Sequence, residues 1–360
     1  MIRMDRRGRS AHGPRAMDIL TALDPRSNYS TPQLQAILGA WVMTGLVEKK
    51  KKVEVGNGHV EEDDYTKQSI YSLLYSMYRS MGDVKAADGT LYELTFNTWG
   101  YAWPKGWGPS PVGREDPQLF GKNAYTGLFS YGPVRDYVAQ RDGRVHLVEM
   151  GCGTGAGAHH ITKHVFPECT YEAFDMQQAA IETCRRRHVP ELGGRLKATR
   201  ADCTKLPIAD SSADIVVVCE THVTEVGGQA TDEDQRFFRN AARVLKPGGY
   251  LVWGNAIPDS TWQPCFDFLE SIGMRRVDEK DVTEEAVLAR DLDEARVDAY
   301  VDQCLDKFFG FKIPVVGWNK RVEAGQALKN FYRNPGTRLY MDMKTRADTY
   351  RVVRFQKQGN

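Results

Sequence analysis

Apolar positions along the chain follow two rhythms. From Val145 onward, short apolar runs alternate with stretches whose apolar residues recur every three or four positions. The runs at 145–150, 170–174, 196–200, 214–219 and 249–254 predict strands. "VHLV" and "DIVVVC" are continuous rather than alternating, the pattern of strands covered on both faces. The helical-period stretches fall between them, at 157–165, 177–187 and 232–244. Such alternation predicts an α/β fold with a doubly wound, mainly parallel sheet. A sixth strand is expected near Arg275 and a seventh at "TYRVVRFQK". A helical pattern from about 282 to 340 separates these two. It is too long for a simple connection and is expected to build a lid.

The N-terminal part has a different texture. From Met17 to about Met81 the pattern is mainly helical, with Thr31 as an N-cap and Pro32 at the first helical position. "KKVEVGNGHVEEDDYT" predicts a hairpin around Gly56-Asn57-Gly58. The helix and hairpin look like a fragment of a winged helix, and a dimerisation or packing role, hence a homodimer, is the expectation. A Gly/Pro-rich segment then gathers Tyr92, Phe96, Trp99, Tyr101, Trp103 and Trp107. It is either core packing under a loop or a lid over an apolar substrate, which would give Trp99, Tyr101 and Trp103 to substrate binding. The division is a basic tail over 1–17, a helical and aromatic cap over 18–140, and an α/β unit over 141–360. The tail is expected to be a disordered extension rather than a targeting segment.

Charge changes this picture little. The 360 residues carry 48 basic and 47 acidic side chains, so no general footprint for nucleic acid exists. "EKKKK" is followed closely by "EEDD", two solvated faces of one local unit. No apolar run is long enough to cross a bilayer. The seven scattered cysteines include no CxxC pair; they are expected to be reduced thiols of a cytoplasmic protein. His159, His160 and His164 are expected on a helix surface, and no metal set is expected.

The candidate chemistry lies at the carboxyl ends of the strands, where open α/β sheets bind ligands. Glu149 ends the first strand of the sheet, and Gly151, Gly153 and Gly155 follow in "EMGCGTGAGA". A glycine turn of this kind lets a dinucleotide or S-adenosylmethionine (SAM) lie against the main chain. Asp175 ends the second strand, with Met176 beside it, and a carboxylate there can accept both ribose hydroxyl protons. Asp202 and Cys203, in "ADCTKLP", follow the third strand and are placed for adenine. Cys219, Glu220 and His222 close the fourth, in "DIVVVCETHV".

Taken together, E-x-G-x-G-x-G, the terminal Asp, "ADCTKLP", "SADIVVVCETH" and "AARVLKPGGYLVW" resemble the successive motifs of class I SAM-dependent methyltransferases. The resemblance covers Val145 to Trp253 and implies a seven-stranded Rossmann-like sheet with an N-terminal helical cap and a C-terminal helical insertion. A looser one, carried by "NTWGY", "ETCRRRHVPEL" and the C-terminal "NPGTRLYMDMKTRADTYRVVRFQK", is to the phthiotriolone and fatty-acid methyltransferase family and the related sterol 24-C-methyltransferases. By that resemblance Glu149, Gly151 and Gly153 would serve the methionine end of SAM. Asp175 would hold the ribose, Asp202 and Cys203 the adenine, and the Cys219 carbonyl would face the amino group. The acceptor would be a small, lipid-like or polyketide-like molecule. One departure is the Glu220–His222 spacing, about one residue shorter than the family's.

Methyl transfer from a sulfonium needs orientation and desolvation, plus a base when the acceptor is a hydroxyl. Glu220 and His222 are the candidate bases, and O-methylation is the leading expectation. S-, N- or C-transfer by proximity is the alternative. A nicotinamide-dependent oxidoreductase and a catalytically silent scaffold are the competing classes. The former is disfavoured because Ala156 alone fills the third fingerprint position, the latter because Glu149, Asp175 and Asp202 are all present.

Overall fold

The computed structural model describes residues 53–55, 59–61, 96, 98–130, 132–221, 230–309 and 316–359. The predicted hairpin is present: β1 (Val53–Val55) pairs antiparallel with β2 (His59–Glu61), with Val55 opposite His59. The helices expected elsewhere between Met17 and Met81, Tyr92 and the basic tail lie outside the described residues.

The main sheet has seven strands in the order β5-β4-β3-β6-β7-β9-β8. These are β3 (His146–Met150), β4 (Thr170–Asp175), β5 (Leu196–Arg200), β6 (Ala213–Cys219), β7 (Leu245–Pro258), β8 (Met274–Asp281) and β9 (Asp348–Lys357). Strands β3 to β7 pair with one another in parallel, whereas β9 runs antiparallel to both β7 and β8. All residues of β6 are buried, because helices cover both its faces. The two-residue period sorts them: Ile215, Val217 and Cys219 enter one core, and Val216 and Val218 the other.

α1 (Leu119–Phe129) and α2 (Gly132–Ala139) precede the sheet; α3 (Ala156–His160) and α4 (Gln178–Arg187) join its first strands. α5 (Asp232–Val244) and α6 (Trp262–Ser271) cover the second core, where Trp253, Trp262 and Phe266 cluster. α5 opens on a capping box, Thr231 and Asp234 each bonding the other's backbone N–H. α7 (Thr283–Phe309), α8 (Val316–Phe331) and α9 (Arg338–Lys344) form the expected insertion between β8 and β9.

Two elements differ from the pattern. β7 runs from Leu245 to Pro258 rather than 249 to 254. A register shift against β6 between Ala213 and Ile215 absorbs its glycine-containing start, and pairing with β9 extends its far end to Pro258. The helix expected over 157–165 is α only to His160; Ile161–Val165 widens to a π turn, closed by Phe166 N–H donating to the Ile161 carbonyl at 2.8 Å.

The aromatic segment packs against the first core, where Phe96, Trp99 and Tyr101 are buried. Tyr101 meets Tyr350 and Trp107 edge-on, at 5.5 and 6.2 Å between centroids. Arg354 of β9 is wholly buried: its Nε and Nη2 donate to the Leu128 and Gly127 carbonyls at 3.0 and 2.7 Å, and it pairs with Asp278. A cation thus closes the carboxyl end of α1.

Candidate active site

The loop after β3 is held by β4, α4 and the residue after β6. Gly151 and Cys152 N–H donate to the Phe174 carbonyl at 2.7 and 2.9 Å. Gly151, Gly153 and Gly155 all have positive φ, at 85°, 53° and 81°. A Cβ on Gly151 would meet Thr221 at 2.0 Å, and one on Gly155 would meet the Cys184 thiol at 2.2 Å. Two of these glycines are therefore required by backbone conformation and by neighbours within the chain.

Glu149 is completely buried beside this loop and accepts from the hydroxyls of Tyr125 and Tyr171, at 2.7 and 3.1 Å. Burial pushes its carboxyl up to about 7, against the opposing pull of the two hydroxyls. Tyr125 comes from α1 and reaches Glu149 because Gly157 has no side chain; a Cβ there would meet the Tyr125 ring at 1.9 Å.

Asp175 accepts from Gly153 N–H at 2.9 Å and Gln177 N–H at 2.8 Å, one on each oxygen. Met176 N–H also bonds this carboxylate, which as a four-site acceptor keeps capacity for a further donor. Burial raises its pKa against these backbone bonds. Met176, next along, is 39% exposed although the strand before it is mostly buried. Asp202 caps the following turn, accepting from Thr204 N–H at 2.9 Å and its hydroxyl at 2.7 Å. Burial works against its charge, but the Thr204 bonds and Lys205 prevail and hold the carboxyl below its usual range. The Cys203 carbonyl accepts from Asn240 at 2.7 Å.

The end of β6 is the junction of the site. Glu220 has φ 49°, a strained conformation for a residue with a side chain, and its N–H donates to the Gly254 carbonyl at 2.7 Å. Its carboxylate accepts from Trp99 N–H at 2.7 and 2.8 Å and from the Tyr350 hydroxyl. Arg333, beyond α8, comes within 4.0 Å of the same carboxylate and lies over the Trp99 ring, 4.9 Å from its centroid. One residue thereby ties together the sheet, the aromatic segment and the helical insertion. The Cys219 carbonyl accepts from the Thr221 hydroxyl at 3.2 Å.

This geometry revises several expectations. Glu220 faces protein donors, which recasts it from a candidate base to a fastener. Tyr101 has no exposed surface and is core, so it does not line a substrate surface; Trp99 is 3% exposed, and Trp103 is half-buried against Trp107. His222 lies outside the described residues. His160 is buried rather than on the helix surface, within 2.8 Å of the Thr126 hydroxyl, and burial pushes its pKa down to about 3. Among the described residues no group of His, Cys, Asp and Glu is arranged to hold a metal, and no helix is long and apolar enough to cross a membrane. Sequence reasoning missed Tyr125, Tyr171, Thr221 and Arg333. Only Tyr171 gave a signal, as an apolar-phase residue of β4.

Residues 148–253 match the family described as a methyltransferase domain. This stretch is similar to methyltransferase domains. The chain is 28% identical, over 52% of its length, to phthiotriol/phenolphthiotriol dimycocerosates methyltransferase 1 of Mycobacterium ulcerans (strain Agy99), matching 66% of that protein. It is 33% identical, over 31% of its length, to the fatty-acid O-methyltransferase of Mycolicibacterium smegmatis (strain ATCC 700084 / mc(2)155), matching 37% of that protein. The chain thus matches less than two thirds of the length of these curated relatives. The fold is shared with the crystal structure of a sarcosine dimethylglycine methyltransferase homologue from Galdieria sulphuraria: TM-score 0.52, 11% identity, 72% of this chain and 93% of that one covered. Within the matched stretch Glu149 stands one residue before the end of β3, Asp175 closes β4, and Asp202 caps the start of the turn after β5.

Proposed function

We propose that the protein transfers the methyl group of SAM to a hydroxyl of a small lipid-like or polyketide-like acceptor. SAM supplies an electrophilic methyl on a sulfonium. The residues present fit it: Asp175 keeps acceptor capacity for the ribose hydroxyls beyond its backbone bonds, and Met176 presents an exposed apolar surface to a flat ring. Asp202 keeps a partly exposed oxygen for an amino group. Glu149 would act through the turn that it underlies, since its carboxylate is shut off from solvent.

The observation that carries this reading is the Glu220 junction. It fixes Trp99 and Arg333 above the end of β6, the side of the sheet where a sulfonium held by Asp175 would point its methyl. A roof of aromatic and helical segments excludes water and orients an apolar acceptor, the two contributions that an in-line displacement needs. His222, two residues beyond Glu220, is the proposed base; neutral imidazole suits proton removal near neutral pH. The cap over 18–140 and the unit over 141–360 are proposed as the working division of the chain.

The test is to incubate the protein with SAM and a panel of hydroxylated fatty acids and polyketides, then look for a gain of one methylene in mass. Methyl transfer to carbon, sulfur or nitrogen acceptors with none to hydroxyls would overturn the hydroxyl assignment.

A further inference from the structure

Gly151 has no side chain, yet the space beside it is taken. A Cβ on Gly151 would meet Thr221 Cγ2, Oγ1 and Cβ at 2.0, 2.4 and 2.7 Å. The Thr221 hydroxyl donates to the Gly151 carbonyl at 2.9 Å and to the Cys219 carbonyl at 3.2 Å. Glu220, left-handed at φ 49°, turns the chain at the end of β6 so that the next side chain comes back over the end of β3. Thr221 is itself lightly held. It is half-buried, and its carbonyl accepts from Asn255 Nδ2 only at 3.5 Å.

One hydroxyl hydrogen is thus shared between two carbonyl oxygens, each of which has two lone pairs. A donor with several hydrogens would serve both without sharing, and a cationic one would do so more strongly. The sheet order says what could bring such a donor. β3 lies between β4 and β6. A nucleoside with its ribose on Asp175, at the end of β4, that crosses the glycine turn carries its far end toward β6. That end arrives where the Thr221 hydroxyl stands. In SAM it bears an ammonium, which has three N–H donors. Hydroxyl and ammonium compete for the same two oxygens, and rotation about the Thr221 Cα–Cβ bond withdraws the hydroxyl from both.

We propose that the Thr221 hydroxyl stands in for the ammonium of SAM and gives way to it when the cofactor binds. Cofactor entry is then an exchange of one donor for another at the Gly151 and Cys219 carbonyls. This inference rests on the methyl-transfer reading of the strand ends and adds a positioning residue to the cofactor site. It also gives Thr221 a part in specificity. Only a nucleoside with an amino-acid end can replace the bonds that Thr221 gives up.

The experiment compares, by calorimetry on the full chain, SAM with methylthioadenosine, which keeps the nucleoside and the sulfur but has no ammonium. Thr221→Ala removes the competing donor, and SAM should bind roughly three- to tenfold tighter, the worth of one neutral hydrogen bond. Methylthioadenosine should bind as it does to the parent. Thr221→Ser returns the hydroxyl and should bring SAM affinity back near the parent value. If Thr221→Ala fails to fold, Thr221→Val, which keeps the branched shape and drops the hydroxyl, carries the same test. SAM affinity equal to or below that of the parent in the Ala or Val variant would overturn the inference and make Thr221 a fixed tie. An equal gain for both nucleosides would also overturn it, since the ammonium would then have no part in the exchange. Absence of SAM binding in parent and variants alike would instead sink the methyl-transfer reading, and the inference with it.

Discussion

The Tyr125 hydroxyl donates to Glu149 at 2.7 Å, joining a helix that precedes the sheet to the strand end beside the glycine turn. The carboxyl it serves is raised from an ordinary value of 4.5 to about 7 by burial. The folded protein therefore holds this proton more tightly than the unfolded chain does. The resulting stabilisation is complete below about pH 4.5 and is lost as pH rises through 7. Glu149→Gln removes this dependence, because an amide does not titrate. In urea melts, the variant should gain on the parent by about 3 kcal/mol between pH 4.5 and 7.5. Parallel pH profiles for the two proteins would show that Glu149 titrates normally.

Asp175→Ala should affect two properties at once. It removes the proposed ribose partner, which should lower SAM affinity by about 1–3 kcal/mol. It also orphans the Gly153 and Gln177 N–H groups, costing stability of similar size. Calorimetry with SAM and a thermal melt separate these effects. SAM affinity unchanged in the folded variant would remove Asp175 from the cofactor site.

Glu220→Gln should loosen the roof without displacing the cofactor. The amide retains one acceptor but no charge for Arg333, so Trp99 N–H and Arg333 lose their common anchor. Limited proteolysis should cut faster around 99–107 and near 333, turnover should fall, and SAM affinity should remain near the parent value. Unchanged cleavage with a lost pH profile would instead restore Glu220 as a base.

Gly127→Ala should destabilise by about 2–4 kcal/mol, because the new Cβ would meet the Tyr101 hydroxyl at 1.8 Å. Tyr101→Phe removes the closest clashing atom. The double variant should recover part of the loss, a non-additivity visible in a double-mutant cycle. Strict additivity would mean that Gly127 is required for some other reason.

His222→Ala tests the base. For a hydroxyl acceptor, turnover should fall by roughly 10²–10⁴ with SAM binding nearly intact. The parent rate should rise with pH through the histidine range and flatten above it, since only neutral imidazole accepts the proton. A variant as fast as the parent at every pH would favour transfer by proximity.

What could be read from the sequence was what neighbours along the chain decide. "DIVVVC" is buried on both faces because the strand is central, and its continuous apolar run says so. The acidic strand ends follow from the same local pattern. The far half of β7 could not be read, because its last residues are ordered by β9, about a hundred positions away. The Glu220 junction is invisible for the same reason: Trp99 lies 121 residues before its partner. The glycines of the turn were legible as a motif but not in their cause, since a thiol on α4 and a threonine after β6, rather than a ligand alone, exclude their side chains.

The antiparallel placement of β9 has a consequence for how the molecule is made. This strand is the last of the sheet to leave the ribosome, yet it lies between β7 and β8. Its Arg354 reaches back 227 residues to the Gly127 carbonyl. Until it emerges, β7 keeps an open edge and α1 lacks its terminal cation, so the nascent chain carries an unfinished apolar surface through most of its synthesis. Completion is then a single late event that pairs two strands, closes the lid's return path and buries a charge together. A stop codon shortly before Asp348 would cost the interior of the sheet, not its margin.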